Sequence, residues 1–168
     1  MKVNKFNTRK AASTPRKLSL RDPYTKETLI DEDGKTVDFF VYGMQSDKAR
    51  NALKNRDRKY GKGRELSDEE AARSGAEFLA AITQGWSPNV EGEDGPIPFS
   101  FESAVDLYME EDWIARQVQE FAMEIRNFDP LRSAGSSYGS GSSHGSTQSQ
   151  KKKAATSKDE TPEAGAKG

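Results

Sequence analysis

Thirteen of the fifteen aromatic residues lie between Leu18 and Pro130, so any core this chain builds must come from that span. The core is also small. Only 33% of the residues are hydrophobic and 32% are charged, against averages of roughly 45–50% and about 25%. From Leu131 onward the chain runs through Ser133-Ala134-Gly135-Ser136-Ser137 and Gly139-Ser140-Gly141-Ser142-Ser143 to Lys151-Lys152-Lys153. Such a composition cannot bury enough apolar surface to offset the ~1–2 kcal/mol per residue lost on ordering. The expected organisation is a flexible basic arm over 1–17, one domain over 18–130 and a disordered Ser/Gly/Lys-rich tail over 131–168.

No stretch approaches the ~20 apolar residues of a membrane span, and residues 1–20 lack the apolar segment of a secretory signal. Cysteine is absent, which removes disulfides, thiolate metal sites and cysteine nucleophiles together. The net charge of -1 conceals strong segregation. Residues 47–64 carry eight Lys/Arg against two Asp/Glu, whereas residues 65–130 carry sixteen Asp/Glu against three Arg. Separated charge of this kind steers association and docking register, not fold.

Local patterning predicts a mainly helical α+β domain. Thr36-Val37-Asp38-Phe39-Phe40-Val41-Tyr42 reads as a strand closed by Gly43, with Asp33-Gly34 as a turn before it. Leu18-Ser19-Leu20 offers an antiparallel partner, and the resulting ribbon needs helices to cover it. Ser46 caps a helix from Asp47 to Tyr60, which Gly61 stops. Ser67 and Glu70 form a capping box that opens a second helix to about Gln84, with Gly85 as its stop. Ser100 opens a third. A fourth follows the acidic Glu110-Glu111-Asp112, with Ile114, Val118, Phe121, Ile125 and Phe128 on one stripe until Asp129-Pro130 ends it. The short antiparallel ribbon thus packs on about four helices.

Catalysis finds little support. His144 is the single histidine and sits in the Ser/Gly tail, where no neighbour can orient it as a base. Gly61-Lys62-Gly63 lacks the preceding strand and the spacing of a phosphate loop. Glu91-Gly92-Glu93-Asp94-Gly95 lacks the ligand register of a calcium loop. The acids at Asp68-Glu69-Glu70 and Glu110-Glu111-Asp112 suit helix starts, where the dipole favours negative charge. The chain reads as no enzyme, with no cofactor and no metal. Lys48, Arg50, Lys54, Arg56, Arg58, Lys59, Lys62 and Arg64 make a basic helix and loop able to meet phosphates. They go around the helix, however, without interleaved aromatics, and the acidic block that follows repels a polyanion.

The densest information lies between Trp86 and Phe128. Gly95-Pro96-Ile97-Pro98-Phe99-Ser100 forms a proline-stiffened loop, with Phe99 before the Ser100 cap as a hydrophobic staple would be. Trp86, Phe99, Ile114, Phe121 and Phe128 are candidates for the core, whereas Trp113 is offset from the Ile114 stripe and suits a surface anchor. The order of elements from Leu18 to Phe128 resembles the tail assembly chaperones of long-tailed bacteriophages. The matching residues are Trp86, Gly95, Pro96, Pro98, Phe99, Ser100, Trp113, Ile114, Gln117, Val118, Phe121, Asn127 and Phe128. The polar excursion between Asp22 and Thr36 and the Ser/Gly tail depart from that pattern.

The resemblance implies a non-enzymatic protein that coats and solubilises the tape measure protein and helps recruit tail tube subunits. It further implies action in the host cell cytoplasm and absence from the mature virion, with self-association as an added interaction. The partner-binding candidates it yields are Trp86, Pro96, Pro98, Phe99, Trp113, Gln117, Phe121 and Phe128. Two other classes stand beside it: a nucleic-acid-binding regulator working through residues 47–64, and a structural head–tail protein of the virion.

Overall fold

The β-branched and aromatic run around Phe39 becomes the middle of a sheet. In the computed structural model, which describes residues 7–130, strand β2 (Asp38–Val41) pairs antiparallel with β1 (Arg16–Ser19) on one side and β3 (Thr83–Trp86) on the other. Leu18 faces Phe39 across one ladder, and Phe39 faces Trp86 across the other. Side chains on a strand alternate between faces. Phe39 and Val41 are therefore fully buried while Phe40 points outward. The one expected strand pair is present, and a third strand joins it.

Around the sheet lie helices α1 (Thr8–Ala12), α2 (Asp47–Tyr60), α3 (Asp68–Ile82), α4 (Phe101–Glu110) and α5 (Asp112–Met123). A small ribbon of β4 (Glu91–Gly92) and β5 (Gly95–Pro96) precedes α4, and a 3-10 turn at Ile125–Phe128 follows α5. The domain is α+β and mainly helical, as expected. The caps are those read from the sequence. Ser46 accepts from the Ala49 N–H at 3.1 Å, and Gly61 ends α2 at φ +85°. Ser67 and Glu70 close their box reciprocally. Each such cap is worth about 1 kcal/mol.

Four expectations need correction. Residues 7–17 are structured: Ala12 is fully buried, and Arg16 and Lys17 already lie in β1. What holds α1 is tertiary contact, which a weakly apolar local sequence does not announce. The Gly43 N–H donates to the Ala12 carbonyl at 3.0 Å, and Gly43 leaves room for Ala12 and Phe128. Next, α3 ends at Ile82 and Gly85 is not a helix stop; pairing with β2 draws residues 83–86 into a strand. The last stripe is broken as well. Helix α5 ends at Met123, so Ile125 is exposed and Phe128 reaches the core from the 3-10 turn. Finally, Phe99 is partly exposed rather than inside. The expected tail at 131–168, including His144, lies outside the described residues, as do residues 1–6 of the arm.

The core joins Leu20, Phe39, Val41, Leu79, Ile82, Trp86, Ile114 and Val118. Phe39 and Trp86 stack at a tilt with centroids 5.3 Å apart. One polar link crosses it. The Thr83 hydroxyl donates to the Leu79 carbonyl at 2.9 Å, so the Tyr108 hydroxyl donates to Thr83 at 2.7 Å. Burial pushes the Tyr108 phenol well above its ordinary range, which keeps that donor protonated.

Charged and hydrogen-bonding side chains link helix α2 to α3. Lys59 and the Tyr60 hydroxyl both donate to the Glu77 carboxylate, which Arg73 also approaches at 3.4 Å. Partial burial, the largest single influence, pushes the Glu77 carboxyl up; the hydrogen bonds and positive charges together outweigh it and hold the group below its ordinary value. A depressed carboxyl stabilises the fold above its unfolded pKa and ceases to do so as pH falls through the folded value. Chemical denaturation at stepped pH should therefore show stability falling as pH drops below the ordinary value of 4.5. Glu77→Gln should lack that component while losing stability at neutral pH.

Gly43 yields a second expectation. A Cβ there would lie 2.8 Å from Ala12 Cβ and 3.1 Å from the Phe128 ring, both anchored groups. Gly43→Ala should lower stability by about 1–3 kcal/mol. Adding Ala12→Gly should recover part of it, as read from urea midpoints.

Candidate functional site

The polar excursion after β1 builds one side of an open surface groove. Asp22 caps its own turn, accepting from the Tyr24 and Thr25 N–H groups at 2.7 and 2.8 Å. These backbone donors, Thr25 first, hold the Asp22 carboxyl below its usual range. The chain then folds back, bridging Arg21 to Thr28 and Ile30 to Thr36, with Gly34 at φ +76° in the turn. Left-handed φ of this kind is the conformation that favours glycine. Asp31 accepts from the Lys35 N–H at 2.8 Å, which likewise lowers its carboxyl. Asn89 ties this hairpin to the loop after β3 by donating to Asp31 at 2.8 Å.

Two open grooves result. The larger, about 1180 Å³, runs between the 29–38 hairpin, the 87–91 loop and the start of α5. Leu20, Val90 and Ile114 line it but are themselves buried, so its accessible apolar surface comes from Ile30, 63% exposed, with the half-buried Leu29, Val37 and Trp113. The smaller, about 550 Å³, lies between the Arg21–Lys26 turn and α5. Trp113 lines both. Its indole N–H donates to the Glu111 carboxylate at 2.7 Å, and one flank of the ring packs on the core.

The eight sequence candidates fall into three groups. Trp86, Pro96, Pro98 and Phe99 gather between β3 and the start of α4. Trp86 is buried, donates to the Ile97 carbonyl at 2.8 Å and meets Phe99 edge-on at 4.8 Å. Pro96 and Pro98 are exposed, and the Pro98 carbonyl accepts from the Ser103 hydroxyl at 2.8 Å. Trp113 and Gln117 border the smaller groove, one helical turn apart on α5. Phe121 and Phe128 pair at 5.6 Å at the far end of α5, Phe121 half-buried and Phe128 inside. They do not form one face, and Trp86 and Phe128 have no free surface to offer a partner.

Gln117 has a definite job. Its amide accepts from the Arg21 N–H at 3.0 Å and donates to the Arg21 carbonyl at 2.8 Å, clamping the excursion to α5. Sequence reasoning passed over Tyr24 and Ile30, exposed apolar residues of that excursion. Their signal was an aromatic and an isoleucine in an otherwise polar stretch.

On α2 the basic side chains are exposed. Lys59 is bound to Glu77, and in the following loop Arg64 is doubly bonded to Glu70 at 2.7 and 2.8 Å. Part of the positive charge therefore serves to hold α3. Among the described residues no three His, Cys, Asp or Glu are grouped to hold a metal, and no helix is long and apolar enough to cross a membrane. The chain matches no family model, no curated protein and no solved structure.

Gln117→Ala removes both bonds to Arg21, each worth about 0.5–1.5 kcal/mol. Hydrogen exchange at the Arg21 amide should accelerate, while amides of β2 keep their protection.

Proposed function

We propose that this protein is a tail assembly chaperone of the long-tailed-phage kind, acting by reversible masking rather than by transforming a substrate. The observation that carries the reading is Trp113, half-buried where it lines two open grooves, the larger of which the exposed Ile30 also lines. A rigid aromatic with one supported flank and one accessible flank is the sort of residue on which binding energy concentrates. Around it the surface is polar. The resemblance carried by Trp113, Ile114, Gln117, Val118 and Phe121 supplies the partner: the tape measure protein, a long helical chain that exposes apolar faces before the tail tube encloses it.

The chemistry of masking follows from the grooves. An apolar helical stripe can be laid over Ile30, Trp113 and the apolar lining, removing both surfaces from water at about 25 cal/mol per Å² of apolar area. The charged back of the chaperone then faces solvent and keeps the coated complex dissolved. Small, repeated contacts suit later displacement by tail tube subunits, since each can be released singly. On this reading the protein works in the host cytoplasm and leaves before the virion is complete.

Co-expression with the tape measure protein tests it. The wild-type chain should raise the soluble fraction of its partner. Trp113→Ala and Ile30→Ser should each abolish most of that rescue, whereas Met123→Ser, an exposed residue outside both grooves, should preserve it. Because Ile30 is largely exposed, its replacement separates lost binding from lost folding. An insoluble partner with the wild-type chain, or rescue indifferent to both changes, overturns the proposal. Salt-sensitive retention on DNA would instead favour the regulator, and recovery in purified particles the virion component.

A further inference from the structure

We infer that the larger groove takes a basic amphipathic helix, with its apolar stripe against Trp113 and Ile30 and its lysine or arginine flank over the 31–38 hairpin. This rests on the masking reading and names the chemistry of the segment masked.

Size and openness favour a chain segment over a small molecule as the natural occupant. The groove, at about 1180 Å³ and open to solvent, exceeds the ~300–1,000 Å³ of typical small-ligand pockets. An open groove lined by both apolar and acidic side chains accepts one face of an amphipathic helix, read through side chains at i, i+3 or i+4, and i+7.

Charge then selects among helices. Asp31, Glu32, Asp33, Asp38 and Glu91 line the groove, and Lys35 is the only cation among its lining residues. Not all of these acids are free. Asp31 is committed to Lys35 N–H and Asn89, and Asp38 accepts from Ser19 at 2.6 Å, Thr36 at 2.8 Å and Lys17 at 3.2 Å. Asp33 meets Lys35, but both are mostly exposed, and such a pair holds weakly. Glu32 and Glu91 are exposed and take part in no ion pair among the described residues.

Across Trp113 the balance changes. The smaller groove sets Arg21, Lys26 and Arg116 against Asp22, Asp112 and Glu120. The field is thus negative on one side of the tryptophan and neutral on the other. A helix with a basic flank is drawn to the 31–38 side, whereas an acidic flank meets like charge there. Complementarity of this kind fixes partner choice and orientation more than raw affinity.

The test uses the full chain and two labelled helical peptides of identical apolar face, one with a lysine flank and one with a glutamate flank, followed by anisotropy. At low salt the lysine peptide should bind about tenfold more tightly or better. Raising salt from about 0.05 to about 0.5 M should shrink that advantage. Glu32→Gln/Glu91→Gln should remove most of it, and Ile30→Ser should weaken both peptides. Equal binding of the two peptides, or a lysine preference untouched by Glu32→Gln/Glu91→Gln, overturns this inference while leaving masking intact. Failure of both peptides alongside a rescued tape measure protein places the binding surface elsewhere. Failure of both together with an insoluble partner sinks the masking reading itself.

Discussion

Phe39 on the central strand meets Trp86 across one ladder and Leu18 across the other, and the remaining elements are arranged to keep that strand's inner face dry. Burying a large apolar side chain contributes about 1.5–3 kcal/mol, and a well-oriented aromatic pair adds about 0.5–1.5 kcal/mol. In a chain with so little apolar material these few contacts carry much of the fold. Helices α3 and α5 cover the strand because Leu79, Ile82, Ile114 and Val118 complete the same cluster. The Tyr108–Thr83–Leu79 chain then fastens α4 to the end of α3 through a fully satisfied polar link.

A small core leaves much of the molecule to be held by polar means, and the grooves are the clearest case. The excursion after β1 has little apolar content, and Leu29 and Val37 reach the core only at its base. Asp22, Asp31, Asn89 and Gln117 supply the rest through bonds to backbone groups. Because those bonds fix the hairpin from two sides, Ile30 can stand exposed without needing a packing partner. Polar struts thus hold an apolar side chain in a fixed place at the surface.

Electrostatic segregation has two consequences at different places. Between α2 and α3 it is internal: Lys59 and Arg64 meet Glu77 and Glu70, so the basic block and the start of the acidic block dock on each other. At the grooves it is external, since Glu32 and Glu91 are exposed and form no ion pair among the described residues. The near-zero net charge of the whole chain reveals neither.

Helix starts were legible in the sequence because capping is local. Ser46, Ser67 and Ser100 each satisfy a backbone donor three residues on, whereas α1, capped at Asn7, depends on distant contacts and was not legible. The strand at Phe39 was legible for a similar reason, since alternation and β-branching act on neighbouring residues. Helix ends were less so: Thr83 to Trp86 left α3 because β2 offered a ladder, and Met123 ended α5 while Phe128 turned into the core from a separate turn. The chain alone divided its aromatic residues between interior and surface only in part: Trp86 is enclosed and Trp113 half-exposed, as the sequence pattern expects, whereas Phe99 stands partly exposed where the pattern put it inside. Burial is decided by what approaches from far along the chain, and only the assembled structure brings Gln117 to Arg21, Asn89 to Asp31, and Ile30 and Trp113 to the lining of one groove.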